Sequence, residues 1–304
     1  MRGLLAGLVV LTAGSLLHRP ICAMSAPTEV TTLRSPAGAV CEVSKHGAHV
    51  LSWTPSTTAA PALYMSPMAK YGATDAIRGG IPICFPQFGP RGELPQHGFC
   101  RKSNDWELEG ACSETSATFK LVATDATRQS AWPHEFECCY TVSLQDDGSL
   151  QTELRVKNTG TASFSFTCAL HTYFAVDDIA KTAVEGLQGC TYEDGLKSGE
   201  VATENDAKIR FVGEVDRVYG PAPATLTIAD AGNLRAVTIN KSDNFPDAVV
   251  WNPWIEKAKS LADMPDGDYQ KFVCVEVGAI RTPVTVPAGS EWSASQRLSV
   301  LPLK

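Results

Sequence analysis

Two ionisable residues stand where the chain around them is apolar. His171 lies in "TCALHTYFAV" and Glu276 in "KFVCVEVGAI". An imidazole or a carboxylate in such surroundings must be paired, hydrogen-bonded or used. Read singly, each has a plain explanation, His171 as a satisfied core histidine and Glu276 as a surface-facing glutamate. Read together, on different strands, they suggest an acid–base pair: a histidine can hold a proton near neutrality and a glutamate is already a base there. Their proximity would raise the histidine and help keep it protonated. If the second stretch is a central strand, Glu276 shares a face with Cys274 and Gly278 while the valines take the other.

A second set of polar groups sits in Ala76 to Leu108, "AIRGGIPICFPQFGPRGELPQHGFCRKSNDWEL". Its many glycines and prolines exclude a regular helix. Prolines also lower the entropy lost when Arg78, Gln96, His97 and Arg101 are ordered. Two guanidiniums in so stiff a loop suit a phosphate, because the planar fork makes two parallel hydrogen bonds. The plain alternative is a rigid loop whose arginines face water. His46 and His49, in "SKHGAHVLSW", flank Gly47 and read as structural, and His134, after a proline, reads as surface. Beyond the adjacent doublet Cys138-Cys139 the cysteines show no close spacing, so no zinc site and no other metal is expected. The chain lacks a Walker phosphate loop, a dinucleotide fingerprint and a Gly-x-Ser-x-Gly elbow.

The elements that must position these groups are strands. "SATFKLVAT" alternates, and "FECCYTVSL" and "LQTELRVKN" flank Asp146-Asp147-Gly148 as a hairpin. "ATLTIAD" and "LRAVTINKS" read as a second hairpin, and "ASFSFTCALHTYF", "KFVCVEVGAI" and "EWSASQRLSVLPL" as further strands. Only Asn252 to Met264 has helical spacing, with Trp254, Ile255, Ala258 and Leu261 on one side. This pattern predicts an all-β fold, a large antiparallel β-sandwich, as one domain over residues 27–304. Trp251 and Trp254 read as core packing, with stacking on a sugar as the alternative. Cys138 and Cys139 would point to opposite faces of a strand, so only one of them is expected in the core.

The totals agree with an ordinary globular protein. Of 304 residues, 44% are hydrophobic, and a net charge of −7 offers no basic face for nucleic acid. Residues 1–26 carry Arg2, an apolar run from Leu4 to Leu17 and small residues from Ala23 to Ala26, the order of a cleaved signal segment. That run is too short to span a bilayer comfortably, so no stable membrane anchor is expected. The ten cysteines form no disulfide framework and read mostly as buried thiols. Entry to the secretory route followed by a reducing plastid reconciles signal with thiols. The sequon Asn240-Lys241-Ser242 keeps secretion open, and without the signal the location is cytoplasmic.

The pieces "AIRGGIPICFPQFGP", "LPQHGF", "LHTYF", "DRVY", "VVWNPW" and "VEVGAI" occur in one order, and on them the chain resembles the hexose-6-phosphate mutarotase branch of the aldose 1-epimerase family. The resemblance implies a galactose-mutarotase-like supersandwich and cofactor-free interconversion of sugar anomers. It implies His171 as general acid and Glu276 as general base. Arg78 and Arg101 match phosphate- and sugar-binding arginines, Gln96 and Asp216 match substrate-binding residues, and His97 joins the binding group. Cys100, before Arg101, departs from the small or apolar residue expected there. A small-molecule sugar phosphate is the expected partner, and a monomer the expected state. Two alternatives stay open: an aldose 1-epimerase of unphosphorylated sugars, and a carbohydrate-binding domain without catalysis.

Overall fold

Wherever apolar and polar residues alternate for long enough, the chain is strand. The computed structural model describes residues 29–72 and 74–303, so the expected signal at 1–26 lies outside the described residues. Phe136–Leu144 pairs with Leu150–Asn158 and Thr225–Asp230 with Arg235–Lys241, both antiparallel, as the turn residues between them predict. Ser116–Val122, Phe272–Val286 and Glu291–Pro302 are strands as well. The strands form a three-stranded, an eight-stranded and a nine-stranded sheet. One apolar cluster fills the space between the two large sheets, with Val250, Val273, Val275 and Val277 from one and Leu154, Val237, Ile239 and Leu298 from the other. Each such side chain contributes roughly 1.5–3 kcal/mol through burial. The all-β sandwich is thus the fold. Among the described residues, no helix is long and apolar enough to cross a membrane.

Four local expectations need correction. The helix covers only Trp254–Lys259, because Pro253 and Pro265 bracket the segment and Asp266–Lys271 forms a separate 3-10 turn. Within it Ala258 is buried but Ile255 is 40% exposed, so the apolar face is narrower than its spacing suggested. The run from Ala162 to Phe174 breaks at His171-Thr172, between strands Phe164–Leu170 and Tyr173–Ala175. Cys138 and Cys139 are both buried: the first enters the core, and the second is covered on the outer face by Glu109, Glu137 and Arg155. Finally, His134 is only half exposed, because its ring packs against Trp132 and Phe164.

The "IRGG" piece is stitched into the sheet by its backbone. Gly80 N–H donates to Tyr64 C=O, and Gly80 C=O accepts from Tyr173 N–H at 2.9 Å. Gly79 and Gly80 have φ of 118° and 59°, and a Cβ on Gly80 would come within 2.1 Å of the Val50 carbonyl oxygen. Only glycine passes here without strain. Gly80→Ala should therefore destabilise the protein by about 1–3 kcal/mol from backbone strain alone. A urea unfolding midpoint unchanged from wild type would contradict this.

Candidate active site

The sheet register brings His171 and Glu276 together. Strand Phe272–Val286 pairs Val277 with Leu170 and Cys274 with Tyr173. The same antiparallel register sets His171 opposite Glu276, and opposed residues lie on one face. Their Nδ1 and Oε1 atoms are 3.3 Å apart. The valines at 273, 275 and 277 enter the main core, so Glu276 and Cys274 occupy the other face, as alternation predicts. That face continues across neighbouring strands, where Val249 opposes Glu276, Trp251 opposes Cys274 and Asp216 opposes Trp251.

Both members of the pair are deeply buried, His171 at 8% exposure and Glu276 at 1%. Their contact is close but not aligned as a hydrogen bond, so His171 Nδ1 and Glu276 Oε2 have no hydrogen-bond partner. Arg101 Nε, also buried, is a third such atom. Buried polar atoms of this kind are rare in folded proteins, and three around one point mark a place for polar ligand atoms.

Burial, the neighbouring His97, and the charges of Arg101 and Arg78 push His171 well below its usual 6.5. Burial and the Asp216 carboxylate push Glu276 well above 4.5, against the pull of Arg101. This corrects the expectation that proximity to the carboxylate raises the histidine. Loss of water outweighs that attraction and favours the uncharged pair, which shares one proton.

The loop residues gather at the same point. Arg78 Nε donates to Asp263 Oδ1 at 3.1 Å and Nη1 to the Tyr173 hydroxyl at 2.9 Å. Arg101 Nη2 donates to the Gln96 carbonyl at 2.9 Å. His97, at φ 65°, accepts from Gly89 N–H through Nδ1 and sets its ring 5.4 Å from that of His171. Burial and both arginines push His97 down to about 3, so it is a neutral wall of the site. Gln96 is exposed at the rim, its amide 3.4 Å from His97 Nε2. Asp216 is half-buried and raised by burial, with Lys257 and Arg91 opposing that rise. Cys100 is fully buried, so the departure before Arg101 still supplies a small apolar group.

Several residues of the site escaped the sequence reading. Trp251 is a site wall rather than core, its ring edge-on to His171 at 5.8 Å. Tyr173 stacks on His171 at 4.8 Å with planes 6° apart. Its place two residues after His171 was the available signal, since alternation puts both on one face. Asp263 sits in a loop with no pattern to betray it. His49, read as structural, is buried and hydrogen-bonded through Nε2 to the Gly79 carbonyl, which supports the "IRGG" turn. Elsewhere a groove of about 670 Å³ crosses Ala183, Ala229 and Ala236 of the nine-stranded sheet. Its lysines 181 and 208 are already paired with carboxylates.

Comparison with known proteins bears on this arrangement. The aldose 1-epimerase family model matches residues 29–299. A protein of Cenchrus ciliaris, provisionally named a glucose-6-phosphate 1-epimerase, is 38% identical over 283 residues, 90% of this chain and 85% of its own. A Salmonella typhimurium protein with the same provisional name is 34% identical over 76% of each chain. The crystal structure of a Salmonella typhimurium protein, provisionally described as a mutarotase, superposes with a TM-score of 0.81 at 31% identity, covering 90% of both chains. With nearly its whole described length matched, and relatives this similar, the chain belongs to the aldose 1-epimerase family.

Proposed function

We propose that this protein is a glucose-6-phosphate 1-epimerase, an isomerase that interconverts the α and β anomers of a hexose 6-phosphate. The observation that carries the reading is the order of groups along one face of the sheet. Arg78 is bonded to Tyr173, whose ring stacks on His171; His171 lies 3.3 Å from Glu276; and Asp216 follows across the neighbouring strands, opposite Trp251. A hexose 6-phosphate has a matching order: phosphate, ring oxygen, anomeric hydroxyl, then the remaining hydroxyls. With its phosphate on the two arginines, the ring oxygen falls to His171, the anomeric hydroxyl to Glu276 and another hydroxyl to Asp216.

The chemistry needs one base and one acid. Glu276 takes the proton of the anomeric hydroxyl, the bond from anomeric carbon to ring oxygen breaks, and His171 protonates that oxygen. Rotation about the bond between the first and second carbons presents the other face of the aldehyde, and reclosure returns both protons. Each proton transfer is worth roughly 10²–10⁴-fold. Fixing the remote phosphate converts these encounters into intramolecular ones.

The test is anomer exchange followed by NMR, with glucose 6-phosphate and glucose as alternative substrates. Preference for the phosphate supports the reading, whereas equal or greater activity on glucose assigns the site to free sugars. The arginines give a second measure. Charge-assisted hydrogen bonds contribute about 1.5–3 kcal/mol, so Arg78→Ala or Arg101→Ala should weaken glucose-6-phosphate turnover roughly 10–100-fold. Loss of glucose turnover to the same degree would refute a phosphate role for them.

A further inference from the structure

Arg78 is connected to His171 by one side chain. Tyr173, 2% exposed, accepts a hydrogen bond from Arg78 Nη1 at its hydroxyl and lays its ring parallel to the imidazole. The ring is clamped by Phe272 at 5.2 Å and by the edge of Trp251 at 6.1 Å, so it has little freedom to move alone. Asp263 holds the guanidinium from the opposite side through Nε. We infer that an oxyanion bound at Arg78 activates His171 through Tyr173, so the phosphate of the substrate raises turnover as well as affinity. This inference rests on the proposed function, since it assumes that Arg78 receives the phosphate.

Whether His171 can act as an acid depends on where the shared proton resides. The groups that face His171 are Glu276, His97, Arg101 and Arg78, together with the rings of Tyr173 and Trp251. Burial and the charges of Arg101 and Arg78 disfavour an imidazolium, and in the free protein the proton belongs on Glu276. Arg78, donating to the Tyr173 hydroxyl, also draws electron density from the ring beneath the imidazole and weakens its support for a cation. A phosphate dianion on the guanidinium offsets both effects. The two groups, 3.3 Å apart, then align as a hydrogen bond, and the proton passes along it from Glu276 Oε1 to His171 Nδ1. This leaves the carboxylate as base and the imidazolium as acid, the arrangement that ring opening requires.

The experiment separates anchoring from activation. Anomer exchange is measured on glucose 6-phosphate and on glucose for wild type, Tyr173→Phe and Arg78→Ala, and on glucose with added phosphite dianion. Wild type should show a higher kcat on the phosphate sugar, and phosphite should raise glucose exchange about tenfold at saturation. Tyr173→Phe keeps the ring and loses the hydroxyl. It should narrow the kcat gap between the two sugars and reduce the phosphite effect by about tenfold, as expected for one hydrogen bond to a charged group. In the Arg78→Ala background the same change should add nothing. A Tyr173→Phe variant with a raised KM for glucose 6-phosphate but an undiminished kcat gap would overturn the inference. So would glucose exchange indifferent to phosphite. Should wild type itself not prefer the phosphate sugar, the proposed substrate is what fails.

Discussion

Glu276→Gln should lower anomer exchange by roughly 10²–10⁴-fold while leaving the fold intact. Glutamine keeps the shape of the side chain and cannot accept the proton of the anomeric hydroxyl. The substitution should also change stability, in a direction that depends on pH. Glu276 is raised well above 4.5 by burial, so its contribution to stability is fully present below 4.5 and is lost as pH rises through the folded-state value. The glutamine variant has no such loss. Its unfolding midpoint should exceed that of wild type in mildly alkaline buffer and approach it as pH falls toward 4.5. A variant that is inactive and equally destabilised at every pH would instead assign Glu276 a structural role.

His171→Asn should cost a similar factor, roughly 10²–10⁴-fold, because the ring oxygen then leaves without a proton from the protein. The pH profile carries the finer prediction. In the free protein the pair holds one proton between a lowered histidine and a raised glutamate. Adding a second proton removes the base, and removing the only one removes the acid. The profile of kcat/KM is therefore bell-shaped, its acid limb lying below 6.5 and set by His171, its alkaline limb set by Glu276. These limbs are properties of the coupled pair. The residual activity of His171→Asn should lack the alkaline limb, because the acid it would lose is already gone, and that of Glu276→Gln should lack the acid limb, because the base is already gone. An alkaline limb that survives in His171→Asn would assign the acid to another group.

His171 and Glu276 were legible in the chain because an ionisable residue in an apolar run has few bland explanations. That they touch was not legible, since it depends on the pairing of Leu170 with Val277 and Tyr173 with Cys274. Alternation placed Glu276 on the correct face because strand periodicity is local. Tyr173 was hidden for the opposite reason: an aromatic in an apolar run looks like core until its hydroxyl is seen to meet Arg78. Trp251 misled in the same way. Cys139 was misjudged because long charged side chains can bury a thiol on the outer face of a sheet. The helix was overextended because apolar spacing near Ile255 said nothing about where Pro265 would turn the chain.

The site is built on two kinds of scaffold. His171 and Glu276 are set opposite each other by a β-ladder whose spacing is fixed by backbone geometry, while Arg78, Gln96, His97 and Arg101, the groups proposed to bind the sugar phosphate, come from the loop of Ala76 to Leu108, with Asp263 holding Arg78. Those two parts can vary separately. A lineage that rebuilds the loops can recruit a different sugar without disturbing the ring-opening machinery, whereas a one-residue slip in the ladder removes the chemistry for every substrate at once. The architecture therefore separates the question of what is bound from the question of what is done to it.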